Sequence, residues 1–296
     1  MTRGAAAQSG VHAPSLDRVV CALDVLRPAR SALRHAFELA ERFGALLDVV
    51  YVHPAANGAT RSPSASRGRL ETAPPVEALQ GIVRGITTAI AGRASLHVIE
   101  DDPVRGLLAY TARAKADVLV LGASDGSHDD RAPSTSERVA SVAPCAVLTV
   151  REDAPVPRPD FRRMLLPANV DTSTPMHATE WAILLGWSFQ SELELLHVLA
   201  PAPPGHELGP WHRTRRTRAE QGLERLKQHV QTRGVPVPRT TLVEGAAAAC
   251  IVDHASSMGA GLILMETPSA TPGTGSAHVA RVRRGSFSRV LSVSAS

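Results

Sequence analysis

The segment HVIEDDPVRGLLAYTARAKADVLVLG at residues 97–122 returns later in the chain, in altered form, as TLVEGAAAACIVDHASSMGAGLILME at residues 241–266. Three further segments repeat in the same order: VVCALDV at 19–25 with LLPANVD at 165–171, FGALLDVVYV at 43–52 with FQSELELLHV at 189–198, and AVLTV at 146–150 with RVLSV at 289–293. Four matched segments, at offsets between 143 and 146 residues, indicate two copies of one domain. A function of that domain should therefore be visible in each copy.

Each copy alternates short apolar segments with stretches of helical periodicity. Helices are predicted from Pro28 to a stop at Gly44, and over 76–91, 103–116 and 136–143, with a polar loop over 54–75. The strands of the first copy are predicted at 19–23, 45–52, 95–100, 117–122 and 146–150. This alternation predicts an α/β fold of two doubly wound domains, each a five-stranded parallel sheet with helices on both faces.

Prolines mark the boundary between the copies. The stretch REDAPVPRPD at 151–160 has three prolines in ten residues, which is typical of an extended linker. We therefore predict a disordered N-terminus over 1–15, a first domain over 16–151, a linker over 152–160 and a second domain over 161–296.

Composition argues against several classes of partner. Hydrophobic residues make up 44% of the 296, but no apolar run reaches the ~18 residues of a membrane span. The first fifteen residues also lack the apolar core of a secretion signal. We therefore expect a cytoplasmic protein without a membrane partner. The formal net charge is only +4 and aromatic residues are 3%, which argues against nucleic acid as a partner.

Two local features could still suggest a binding site. The basic stretch WHRTRRTRAEQGLERLKQHVQTRG at 211–234 is interpreted as a solvated helix face in which Glu220 and Glu224 balance the arginines. The three cysteines, Cys21, Cys145 and Cys250, lie far apart and lack metal-ligand spacing, so we expect buried thiols and no metal site.

In doubly wound sheets the ligand crevice lies at the carboxyl ends of the strands, where the strand order reverses. In the first copy this position is taken by Asp24 after the first strand, by Val52 and His53 at the second, and by the loop from Gly122 to Ser136 after the fourth. Because His53 and His197 do not stand at equivalent positions in the two copies, both are interpreted as edge or surface histidines and not as acid/base groups.

Both halves resemble universal stress protein domains, and the whole chain resembles a tandem member of that family. The resemblance rests on the strand-one Asp24, the LLHV strand at 195–198, the turn EDDP at 100–103, ADVLVLG at 116–122 and STSERVASVAPCAVLTV at 134–150. It implies pairing through the last strand and, in many members, ATP binding. The implied cofactor-binding residues are Asp24, Val52, Gly122, Gly126 and Ser134 in the first copy, and Asn169, Val198, Gly273, Gly275 and Ser276 in the second.

The implied phosphate loop is degenerate in both copies. Family members that bind ATP have a glycine, two residues, a second glycine, nine residues, and a third glycine before Ser or Thr, because bare backbone amides must approach the phosphates. The first copy has Asp125 at the second glycine position, with Gly126 one residue late, and Pro133 at the third; proline has no N–H to donate. In the second copy Asn169 replaces the strand-one Asp and Glu266 replaces the first glycine.

The favoured hypothesis is therefore a non-catalytic binding or regulatory module in the stress response, with weak or no ATP binding. One alternative is an ATP-binding switch with slow hydrolysis, and another is a docking scaffold whose specificity lies in 54–75 and 199–213. Asp24 could hold a nucleotide or cap a helix, and Ser134 and Ser276 could be helix caps or phosphate contacts. The final strands AVLTV and RVLSV are expected to pair within the chain, which hides both sheet edges; a homodimer and an unknown protein partner remain open.

Overall fold

A computed structural model of the protein describes residues 14–23, 30–53, 81, 84, 90, 92–123, 134–151, 161–170, 177–201, 209–267, 274–286 and 289–294. The chain divides between residues 157 and 158 into two compact units, called domain 1 and domain 2 in chain order. Most of the predicted loop over 54–75 and helix over 76–91, the linker over 152–160 and residues 1–13 lie outside the described residues.

Domain 1 has a five-stranded parallel sheet in the order β3-β2-β1-β4-β5, which confirms the predicted fold. Val19, Val20 and Cys21 of the central strand are fully buried, as expected of a short apolar strand covered on both faces. The described elements are β1 (Arg18–Leu23), α1 (Arg30–Phe43), β2 (Leu46–His53), β3 (Ala94–Glu100), α2 (Pro103–Ala114), β4 (Val118–Ala123), α3 (Thr135–Val142) and β5 (Ala146–Arg151).

The helices of domain 1 pack on both faces of this sheet. On one face α1 buries Ala32, Ala36 and Leu39, whose spacing of three to four residues gives the helix one apolar side. Gly44 follows α1 with φ +70°, a left-handed conformation that glycine adopts without strain, so the predicted stop is correct. On the other face a core that includes Val20, Leu107, Tyr110, Leu119, Val139 and Val147 joins the sheet to α2 and α3.

Domain 2 repeats the architecture, with parallel strands in the order β8-β7-β6-β9-β10. The strand register aligns the two copies: Val20 lies opposite Leu119 in domain 1, and Leu165 lies opposite Ile263 in domain 2. The described elements are β6 (Arg163–Pro167), α4 (His177–Phe189), β7 (Glu192–Leu199), α5 (Pro210–Thr232), β8 (Arg239–Glu244), α6 (Ala247–Met258), β9 (Leu262–Thr267), α7 (Thr274–Gly285) and β10 (Arg289–Ser294).

Helix α4 differs from its counterpart α1 in being apolar around most of its circumference. Its residues Ala178, Trp181 and Ala182 are buried. Gly186 permits close packing, since a Cβ at that position would lie 2.7 Å from Cγ1 of Val235. Across the described residues, no helix has the length and apolar character needed to cross a bilayer.

Candidate functional site

In domain 1 the carboxyl end of β4 meets the start of α3. The Ser136 hydroxyl donates to the Gly122 carbonyl at 2.8 Å, which holds the helix start against the strand end. Val52 lies near the end of β2, and its Cγ1 would be 3.1 Å from a Cβ at Gly106. The structure thus places Gly122, Val52 and Ser134 at the same end of the sheet, where parallel strands form their crevice. Asp24 and Gly126 lie outside the described residues.

The N-terminus of α3 is closed by the chain's own side chains. Ser134 is the N-cap, and its Oγ accepts the backbone N–H of Glu137 at 3.2 Å. The Glu137 carboxylate in turn accepts the backbone N–H of Ser134 at 2.9 Å. This reciprocal capping box satisfies two of the amides that a helix start could offer to a phosphate. The pattern Ser-Thr-Ser-Glu at 134–137 is a sequence signal for this cap, but Glu137 was not among the predicted site residues.

In domain 2 the residue at the first glycine position caps a different helix. Glu266, in β9, accepts the backbone N–H groups of His177 at 3.2 Å and of Ala178 at 2.8 Å, both at the start of α4. Its Oε1 also lies 3.2 Å from Nδ1 of His177. The carboxylate therefore occupies the positive end of the α4 dipole. The sequence showed Glu266 only as a replacement of the first glycine and did not reveal its role as a cap.

The loop that would hold a phosphate in domain 2, between β9 and α7, lies largely outside the described residues. Helix α7 begins at Thr274, so Gly275 and Ser276 belong to its first turn and not to the preceding loop; Gly273 lies outside the described residues. Counting from the shared register, Asn169 does stand at the position of Asp24, and it is exposed. Val198 is half-buried near the end of β7.

The interpretation of His197 as an edge or surface residue is wrong. Its side chain is buried, and Nδ1 lies 2.7 Å from the carbonyl oxygen of Ala168. The Ala168 N–H donates to the Leu196 carbonyl at 2.8 Å. The imidazole thus connects the end of β6 to β7. Because the two residues are 29 apart in sequence, no local sequence pattern predicts this contact.

The start of α5 lies at the same end of the domain 2 sheet as Glu266. His212 Nε2 lies 3.0 Å from the carboxylate of Glu244, the last residue of β8. Arg215 donates to the carbonyl of Ala200, just after β7, at 2.9 Å. Farther along, a Cβ at Gly222 would lie 2.7 Å from Cβ of Val170 in the segment after β6. These contacts hold the first half of α5 at the rim of the crevice.

A second polar cluster, near the amino ends of the strands, lies away from the crevice. Asp48 of β2 is buried and accepts hydrogen bonds from Arg18 Nη1 at 2.7 Å and from Ser95 Oγ at 2.9 Å. Burial alone would raise the pKa of Asp48, but the hydrogen bonds from Arg18, Ser95 and Tyr110 outweigh it, so its pKa lies below the ordinary value. Burial is also the first cause of the raised pKa of Tyr110, followed by the charge of Asp48.

Domain 2 has the equivalent buried carboxylate with a different set of donors. Glu194 stands at the register position of Asp48 and accepts from Thr241 at 2.9 Å, while His254 Nε2 lies 2.7 Å away. Thr241 corresponds to His97 of the first copy and His254 corresponds to Tyr110. Each buried carboxylate therefore connects a strand to the helix after β3 or β8. Among the described residues, no group of three or more His, Cys, Asp or Glu is arranged to hold a metal ion.

Comparisons with known proteins agree with this architecture. The chain is similar over 94% of its length to a universal stress protein structure from Pseudomonas aeruginosa UCBPP-PA14, at 14% identity, 93% coverage of that chain and a TM-score of 0.67. A universal stress protein structure from Archaeoglobus fulgidus DSM 4304 is similar at 14% identity, with 95% and 97% coverage and a TM-score of 0.64. No curated protein matches the chain.

A family model gives the decisive match. The model described as "Universal stress protein family" matches residues 15–151 and again residues 160–295, so the repeat and the family are found in the same two parts of the chain. The protein therefore belongs to the universal stress protein family and carries two of its domains in tandem.

Proposed function

We propose that this protein is a non-catalytic binding and regulatory module in the stress response, in which neither crevice holds ATP at useful affinity. The observation that carries the proposal is the position of Glu266, whose carboxylate accepts two backbone N–H groups at the start of α4. Glu137 supports the proposal in domain 1, because its carboxylate accepts the backbone N–H of Ser134 at the start of α3. A cytoplasmic location remains a prediction.

Electrostatics explains why these carboxylates oppose a nucleotide. A phosphate about 4 Å from a carboxylate is repelled by about 1 kcal/mol in water and by about 4 kcal/mol at the dielectric of a protein surface. A micromolar site is worth only about 8 kcal/mol in total. Loss of the charge-assisted amide contacts removes about 1.5–3 kcal/mol more for each bond. These magnitudes support the proposal that the described residues at the two crevices do not fit ATP.

Absence of catalysis is proposed on related grounds. A hydrolytic site needs a base free to accept a proton close to a nucleophile. In the described part of each crevice, Glu137 and Glu266 are engaged as helix caps, and the Ser134 hydroxyl accepts a backbone hydrogen bond. These groups therefore act as helix caps.

Calorimetric titration of the full chain with Mg-ATP tests this proposal. We expect no saturable heat below about 1 mM nucleotide, the concentration that corresponds to about 4 kcal/mol of binding energy. Glu266→Ala should bring binding into the millimolar range because it removes the repelling charge, whereas Glu224→Ala on the exposed face of α5 should not. Micromolar binding by the unaltered protein would instead support an ATP-dependent switch.

We also propose that β5 and β10 pair with each other within one chain. Each is the last strand at one side of its own domain's sheet, and an exposed edge of this kind invites association. Hydrogen exchange tests the proposal: the β5 and β10 amides that do not donate to β4 or β9 should exchange slowly in the monomeric protein. Rapid exchange at those amides would contradict it.

A further inference from the structure

Strand β3 is the last strand on one side of the domain 1 sheet. In the described part of the chain it pairs with β2 alone, and none of its seven residues is buried. Val98, near the middle of the strand, exposes 49% of its surface. An edge of this kind invites pairing with another strand unless the sequence protects it.

The hydrogen bonds at the two ends of β3 show which of its backbone groups face outward. Leu47 donates its N–H to the Arg93 carbonyl at 2.8 Å, and Asp101 donates its N–H to the His53 carbonyl at 3.1 Å. Successive residues of a parallel strand point their backbone groups to alternate sides, so the odd-numbered residues of β3 bond to β2. The backbone groups that point away from the sheet therefore include those of Leu96, Val98 and Glu100.

The sequence does little to protect this edge. The stretch GRASLHVIEDD at 92–102 contains no proline and no lysine, two residues that commonly protect edge strands. The corresponding edge of domain 2 differs, because Pro236 and Pro238 directly precede β8 and proline has no N–H to donate. The edge formed by β3 is therefore the less protected of the two.

We infer that β3 pairs in antiparallel orientation with β3 of a second copy of this chain. Ala94 already takes part in another interaction, so the pairing segment runs over 96–100 and the two-fold axis passes through its centre, Val98. Val98 then lies opposite Val98 of the second copy, and Leu96 lies opposite Glu100 of the second copy. Each of these opposed pairs exchanges two backbone hydrogen bonds, and the symmetry limits the assembly to two chains.

The distribution of charge along β3 favours this orientation over a parallel one. Glu100 is followed by Asp101 and Asp102, while residues 94–96 are uncharged. A parallel pair in register would place each carboxylate beside its own copy, and like charges on facing residues destabilise a strand pair. The antiparallel pair places each acidic end opposite the uncharged start of the other strand. The edge is thus complementary to itself, which favours a second copy as the partner.

Sedimentation velocity of the full chain at about 1 µM to 1 mM tests the inference. The contact covers less surface than a standard interface of about 1,600 Å², so the dimer should be half formed at roughly 10–100 µM chain. Val98→Lys should raise the dimer dissociation constant by about tenfold or more, because it brings two cations together at the axis.

The matched control is Thr240→Lys, which places the same charge at an outward-facing position of β8, the edge of the domain 2 sheet. It should change the dissociation constant by less than about twofold, because the site is independent of β3. Circular dichroism should show the wild-type fold and unfolding temperature in both variants, since each substitution lies on a strand edge.

Disulfide trapping tests the register of the pairing. A hydrogen-bonded antiparallel pair has Cα atoms about 5.5 Å apart, a distance that a disulfide spans. On mild oxidation Val98→Cys should therefore give a covalent dimer in excess of any that the wild type forms through its own cysteines. Leu96→Cys should not, because Leu96 lies about 13 Å along the strand from Leu96 of the second copy.

Three results would overturn the inference. A chain that stays monomeric at about 1 mM would leave the edge of β3 to a different protein. A dimer that is equally stable in Val98→Lys and in the wild type would place the interface elsewhere, with β5 and β10 as the next candidates. Equal cross-linking of Val98→Cys and Leu96→Cys would exclude pairing about Val98. None of these measurements reports on the crevices, so the proposed lack of ATP binding is tested independently.

Discussion

Replacement of Glu266 by alanine should destabilise domain 2 by about 2 kcal/mol. The carboxylate caps α4 through the amides of His177 and Ala178, and loss of an N-cap costs about 1 kcal/mol. The lost attraction to the helix dipole adds about 0.5–1 kcal/mol. The side chain is 23% exposed, so the contact with the His177 ring is screened and adds little. Glu266→Gln keeps an acceptor oxygen and should lose about half as much.

Tryptophan fluorescence during thermal unfolding measures this change selectively. The three tryptophans, Trp181, Trp187 and Trp211, all belong to domain 2, and Trp181 is buried within α4 itself. A loss of about 2 kcal/mol should lower the midpoint temperature by roughly 4–8 °C in a domain of this size. Glu224→Ala, an exposed carboxylate on α5, should cost no more than about 0.5 kcal/mol. Equal stability of the two variants would refute the assignment of Glu266 as a cap.

Three further changes test other parts of the structure. Ser134→Ala should cost domain 1 about 1 kcal/mol through loss of the capping box, seen by circular dichroism with an unchanged tryptophan transition. Asp48→Asn should cost about 2 kcal/mol at neutral pH. Because the folded-state pKa of Asp48 lies below 3.8, this stabilisation is present above pH 3.8 and is lost as the pH falls through the folded-state pKa. The free energy of unfolding of the variant should therefore decrease less steeply in acid than that of the wild type. Gly222→Ala should cost about 1–3 kcal/mol, since its Cβ would lie 2.7 Å from Val170, whereas exposed Gln221→Ala should change little in the same fluorescence assay.

The sequence predicted the fold well because its signals are local. A few neighbouring residues are enough to predict a short apolar strand such as β1, or a helix stop such as Gly44. The strand β1 was predicted one residue short at its start, since Arg18 is polar yet pairs with Asp48. Because the domain is duplicated, each helix or strand can be predicted from two sequence segments. A clear pattern in one copy then compensates for a weak pattern in the other.

The site was predicted less completely because its key contacts are distant in sequence. Glu266 reaches an amide 88 residues away, at Ala178, and that contact exists only because β9 lies beside β6. His197 was interpreted as an edge or surface residue because it has no equivalent histidine in the first copy, and its partner, the Ala168 carbonyl, lies at the end of another strand and gives no local signal. Glu137, by contrast, caps a residue three positions earlier, and the pattern could have identified it.

The two buried carboxylates limit how the halves of this protein can be exchanged. Domain 1 supplies a strand histidine and a helix tyrosine near Asp48, whereas domain 2 supplies a strand threonine and a helix histidine near Glu194. A chimera that moves one strand without its helix would surround an acid with two hydroxyl groups, or with two imidazoles. The two repeats thus differ at neighbouring positions around the same buried carboxylate, and we expect a strand moved without its helix to lower the stability of that site.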